Sequence, residues 1–150
     1  MAKRGNSTPG TQAIDFTQPE GGQMLFLPTV FNETLKLLFE AHEYFQLRGV
    51  EEQASIPHLH RAAYAREMSH ITMRLTSVMA WVMVRKAVCG GRIEEETAAQ
   101  KYRLDARDIC LAEISPALSD LPYYINHLAE RSHALYARVS RLDDMVYGNA

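Results

Sequence analysis

Nine positions, Leu118, Leu121, Ile125, Leu128, Ser132, Leu135, Val139, Leu142 and Val146, alternate spacings of three and four without a break. Only a helix brings such positions onto one face, and the alternation is the seam of a coiled-coil-like rod. Ser132 is its single polar member. Ser119 is a candidate cap, Pro122 falls near the start where a missing N–H is tolerated, and Gly148 closes the helix.

Two more segments carry the same period. Pro28 suits a first helical turn, and Phe31, Leu35, Leu38, His42 and Phe45 follow at spacings of four, three, four and three, with Gly49 as the stop. Ser55 is a plausible cap for a second rod, Pro57 to Val88, which meets no further Gly or Pro before Gly90-Gly91. At about 1.5 Å per residue that rod spans roughly 48 Å. Between Arg92 and Pro116 the chain is more polar, and Glu94, Glu95 and Glu96 mark the start of one short helix, where carboxylates suit the positive end of the dipole. No segment alternates apolar and polar residues as a strand does. The expected fold is all-α: an antiparallel three-helix bundle with one long central helix and a short extra helical segment. Residues 24–148 are the helical bundle domain. Residues 1–23, rich in Gly, Ser, Thr, Pro and Gln, are expected to be a flexible N-terminal arm.

Charge and hydropathy narrow the function. Sixteen basic and eighteen acidic residues give a net charge of -2, which offers no bulk attraction for nucleic acid or an anionic membrane. The uncharged apolar run Leu75 to Val84 falls short of the roughly 20 residues that span a bilayer. Lys3 and Arg4 are followed by no apolar stretch of the kind a secretory signal has, so a cytoplasmic location is expected, with Cys89 and Cys110 as free thiols.

The second rod constrains assembly. With Ile71, Leu75, Val78 and Val82 turned toward the bundle, Met79, Trp81, Met83, Val84 and Val88 fall on other faces. A helix apolar nearly all round must be covered on more than one side. Either the Arg92 to Pro116 segment wraps over the remainder or a second copy does. Trp and Met are enriched at interfaces, and two-fold pairing is the commonest assembly, so these five residues are the candidate interface of a homodimer or of another partner. Pro57 to Cys89 also carries Arg61, Arg66, Arg74, Arg85 and Lys86 against Glu67 alone. Those cations are spread around the wheel without interleaved aromatics, so nucleic acid is not an expected partner.

Catalytic signals are few. Glu67-Met-Ser-His70 and Glu130-Arg-Ser-His133 have the Glu-x-x-His spacing of di-metal carboxylate bundles, which Glu40 or Glu43 could help complete. The seam turns Glu130 and His133 mostly outward and leaves Glu67 and His70 at the flank of the Ile71 and Leu75 stripe, so surface positions are expected and a di-metal carboxylate four-helix-type bundle is only the alternative reading. His58 and His60 diverge by about 200° on a helix. Cys89 and Cys110 lack the spacing of a zinc site, and Gly90-Gly91 ends a helix where a phosphate loop would open one. No enzyme, metal or cofactor is expected.

Leu37-Leu-Phe-Glu-Ala-His-Glu-Tyr-Phe45, Thr72-Met-Arg-Leu75, Ala80-Trp81, Arg85-Lys-Ala-Val88, Gly91-Arg-Ile93, Leu121-Pro122 and Ser132-His-Ala-Leu-Tyr-Ala-Arg-Val-Ser-Arg-Leu-Asp143 together resemble the alphaproteobacterial regulator of CtrA degradation family. The resemblance runs from about Thr29 to Val146. It implies a dimeric three-helix bundle serving as an adaptor in ClpXP-dependent degradation of cell-cycle regulators. Its implied partners are protease components, a single-domain response regulator and protein substrates. Gly90 and Arg92 stand where relatives tend to be acidic, and the sequence stops at Ala150, where adaptor members tend to continue into a tail.

Overall fold

The computed structural model describes residues 26–148; the expected arm, residues 1–23, lies outside the described residues. Every regular element among them is helical: α1 (Leu27–Leu47), α2 (Gly49–Ser55), α3 (Arg61–Cys89), α4 (Glu95–Lys101), α5 (Arg107–Cys110) and α6 (Tyr123–Tyr147). Short 3-10 turns at His58–His60 and Pro116–Asp120 lead into α3 and α6.

Local sequence explains the boundaries. Pro28 occupies the first turn of α1 as expected. Gly49 does not end the helical path: α1 stops at Leu47, Arg48 breaks the geometry, and α2 starts at Gly49 itself. Ser55 is not a cap for the second rod but the last residue of α2, its hydroxyl donating to the Glu52 carbonyl at 2.8 Å. Ser119 lies within the 3-10 turn before α6 and is not its cap. α3 ends in a Schellman motif: Gly91 has φ 74°, its N–H bonds Val88 O at 3.0 Å, and Arg92 N–H bonds Ala87 O at 2.8 Å. Glu94 precedes α4, where the acidic run was expected to start a helix.

The α6 seam buries every position from Leu118 to Val139, with Leu142 and Val146 half-buried at its end. Ile71, Leu75, Val78 and Val82 likewise form the inner face of α3. α1 is turned by one residue from the expected register. Its buried face is Val30, Thr34, Leu37, Ala41 and Tyr44, while Phe31, Leu35, Leu38 and Phe45 lie half-buried at the flank and His42 is exposed. Thr34 is tolerated inside because its hydroxyl donates to Val30 O at 2.6 Å.

The helix directions depart from simple antiparallel packing. Arg131 pairs with Glu40 and Arg138 with Glu33, so α6 runs antiparallel to α1. Arg74 reaches Ala129 and Ser132, and Trp81 reaches Asp143, so α6 runs parallel to α3. Two parallel neighbours need a long return, and residues 90–122 provide it. They ascend from Glu95 beside Arg85, through Asp105 beside Tyr136, to Cys110 beside Arg74. This connector fills the groove between α3 and α6.

Candidate functional site

The connector decides what α3 leaves open. Trp81, one of the five candidate interface residues, is only 4% exposed, covered by its own chain. Met79, Val84 and Val88 are half-buried, and Met83 is 39% exposed. Of the five, Met83 is the most open and Met79 lies one turn before it on the same flank.

The covering is fastened by polar groups that sequence patterning did not single out. Asp143, fully buried on α6, accepts on Oδ1 from Trp81 Nε1 at 2.9 Å and from the Leu104 backbone N–H at 3.2 Å. Its Oδ2 accepts from Arg103 Nε at 3.0 Å, Arg103 Nη2 at 2.9 Å and Arg107 Nη2. Both arginines also pair with Asp144. A buried carboxylate is costly unless it is paired and hydrogen-bonded, and here five donors from α3 and the connector meet one carboxylate.

Arg74 fastens the other end. Buried on α3, it donates from Nε to Cys110 O at 3.0 Å, and from Nη1 to Ala129 O and Ser132 Oγ, both at 3.3 Å. The seam's one polar residue is therefore a hydrogen-bond partner. Burial lowers the Arg74 pKa, and the opposite charge of Glu67 partly offsets that. Arg74 and Arg85 are both buried, so the expected basic rod is not a wholly basic surface. Burial disfavours the Arg85 charge, but hydrogen bonds to Glu95 and Tyr147 outweigh it and raise the pKa.

Of the Glu-x-x-His residues, the α3 pair departs from the surface reading. Glu67 is buried, with Oε2 lacking a hydrogen-bond partner. His70 is half-buried, and burial lowers its pKa. Glu130 is exposed, and the His133 ring approaches Leu111 O at 3.4 Å. Glu40 is held by Arg131 and Glu43 is exposed. Among the described residues no three His, Cys, Asp or Glu side chains are grouped to hold a metal ion. Cys110 is buried, which raises its thiol pKa, and Cys89 is half-buried; neither forms a disulfide.

Three of the concavities among the described residues flank these helices. A groove of about 670 Å³ runs between α3 and the connector, lined by Ser77, Ala80, Val84, Ala99, Tyr102 and Arg103. A second, about 410 Å³, lies between the C-terminal end of α1 and the start of α6, where Tyr124 stacks on Tyr44 and Arg48 sits 4.8 Å over the Tyr124 ring. The third, about 190 Å³ and mostly apolar, lies where α1 begins beside α3 and α6. On the outside of α1, Phe39 is 65% exposed.

The arrangement is all-helical, with polar groups committed to fastening the helices beside open and partly apolar faces. The chain belongs to the family described as "Protein of unknown function (DUF1465)", which it matches over residues 23–150. It is also similar to the crystal structure of RcdA from Caulobacter crescentus CB15, with TM-score 0.67 and 26% identity, covering 92% of this chain and all of that one. The RcdA-family resemblance is thereby shown. No curated protein matches the sequence. No helix among the described residues is long and apolar enough to cross a membrane.

Proposed function

We propose that the protein is a non-enzymatic adaptor in regulated proteolysis, serving ClpXP-dependent degradation of cell-cycle regulators in the cytoplasm. Its long helices α1, α3 and α6 form a three-helix bundle over residues 24–148, preceded by an arm over residues 1–23. It works as a homodimer beside a single-domain response regulator, contacting protease components and protein substrates, without nucleic acid, membrane, metal or other cofactor. The observation that carries the reading is the likeness to RcdA over the whole of that chain. Its name denotes a regulator of CtrA degradation. The use of Asp143, Arg103, Arg107 and Arg74 as internal fasteners supports it, because these groups are occupied in holding the scaffold together. Met79, Met83, Val84 and Val88 are the proposed dimer or partner contacts, with Trp81 supporting them from beneath. The di-metal alternative gains no support from a grouped ligand set among the described residues.

The test is reconstitution. Purified protein added to ClpX, ClpP, a single-domain response regulator and a candidate cell-cycle substrate should accelerate loss of that substrate. Binding to none of these components would count against the adaptor reading.

A further inference from the structure

Among the described residues Glu67 and Arg74 are each 1% exposed, and Oε2 of Glu67 and Nη2 of Arg74 are buried without a hydrogen-bond partner. A buried polar atom left in that condition forfeits its full hydration. The two atoms are of opposite kind, since a guanidinium nitrogen only donates and a carboxylate oxygen accepts.

They do not satisfy each other, and the helix explains why. Seven residues apart, Glu67 and Arg74 lie two turns apart on one face of α3, and the turn between them carries His70 and Ile71. Helical side chains lean toward the N-terminus, so Arg74 extends back toward Glu67. Its reach is then fixed by other bonds: Nε donates to Cys110 O at 3.0 Å, and Nη1 to Ala129 O and Ser132 Oγ, both at 3.3 Å. The guanidinium cannot swing to the carboxylate without leaving those acceptors. The two charges still sense each other, because Glu67 opposes the effect of burial on Arg74.

One water molecule accepts from a donor on one side and donates to an acceptor on the other, bridging atoms about 5–6 Å apart. An internal water also needs further polar company, and His70 is electrostatically coupled to both Glu67 and Arg74. Burial favours its neutral ring, which carries an acceptor nitrogen for the second hydrogen of the water. His70 is half-buried, so its side of α3 also gives the site an outlet to solvent.

We propose that Glu67 and Arg74 hold one internal water molecule on the buried face of α3, accepting from Arg74 Nη2 and donating to Glu67 Oε2 beside the His70 ring. Glu67 thereby completes the bonding of the arginine that fastens Cys110 and α6. This site is independent of the adaptor role.

Oxygen-17 magnetic relaxation dispersion of the full chain counts waters held for longer than the protein takes to tumble. The Glu67→Leu, Arg74→Met double variant should lose the amplitude of about one such water relative to the wild type, and an unchanged amplitude would overturn the proposal. A crystal structure of the wild type keeps the test independent of how the variant folds. It should show an ordered water bonded to both Glu67 Oε2 and Arg74 Nη2. A direct Glu67–Arg74 bond, or no ordered water between the two atoms, would overturn it.

Discussion

The indole N–H of Trp81 donates to Oδ1 of Asp143 at 2.9 Å, joining α3 to α6 across 62 residues of sequence. The same oxygen accepts the backbone N–H of Leu104, while the other holds Arg103 and Arg107. One carboxylate thus aligns two parallel helices and ties down the strap that parallel packing requires.

Removing that carboxylate leaves an indole and a backbone N–H without their acceptor and two guanidiniums without their shared partner. Asp143→Ala is expected to destabilise the fold by about 3–5 kcal/mol, the range for breaking a buried charge pair from one side. Urea unfolding followed by Trp81 fluorescence measures it. Arg103→Ala should cost less, because Arg107 remains on Asp143 and Arg103 is partly exposed. Equal costs would show that Asp143 is not the hub.

Glu67 and Arg74 lie two helical turns apart on the buried side of α3, and each retains one unpartnered polar atom. Arg74→Met removes three hydrogen bonds and the charge that offsets Glu67, for an expected loss of about 3 kcal/mol. Glu67→Leu with Arg74→Met should cost less than the two single losses summed, since the double variant strands neither charge. Simple additivity in a double-mutant cycle would remove the coupling.

His70 makes stability depend on acidity. Its folded pKa lies below the usual histidine value of about 6.5 because burial disfavours the imidazolium, with neighbouring Glu67 opposing and Arg74 and Arg66 reinforcing the effect. Between the lowered folded value and about 6.5, the unfolded chain binds more protons, so stability rises with pH across that interval. Its contribution is therefore full above about pH 6.5 and declines as pH falls below it. His70→Gln should flatten that portion of a stability–pH curve measured by urea unfolding. An unchanged slope would assign the dependence to other groups.

Met83 provides a surface test that Trp81 cannot, since Trp81 is enclosed and an acid there would disrupt the core. Met83→Asp should leave the unfolding midpoint nearly unchanged and shift sedimentation from dimer to monomer at micromolar concentration. A wild type that sediments as a monomer throughout would refute the homodimer.

The degree to which the fold can be read from sequence follows physical cause. The α6 seam was legible because large aliphatic residues repeat on one face, and Ser132 interrupts it only to receive Arg74. α1 misled by one residue because Phe31, Leu35, Leu38 and Phe45 are more apolar than Thr34, Ala41 and Tyr44, which occupy the buried face. Thr34 satisfies its hydroxyl on the preceding turn, and Tyr44 donates to Glu52 and lies 2.8 Å from the Tyr64 hydroxyl. Hydrophobic periodicity cannot register such compensation. Nor could it reveal that α3 and α6 run parallel, because the returning strap is held largely by Arg103, Arg107 and Asp143, which read as ordinary charged residues. For the proposed surface, Met79 and Met83 were legible as surplus apolar residues. The burial of Trp81 depended on a connector whose course periodicity did not specify.

The most direct measurement of the adaptor role is a proteome-wide half-life comparison between cells with and without this protein. The expected result is a small set of proteins, including cell-cycle regulators, whose half-lives lengthen in its absence and recover with the wild-type chain but not with Met83→Asp. Unchanged half-lives across the proteome under conditions where ClpXP is active would contradict it.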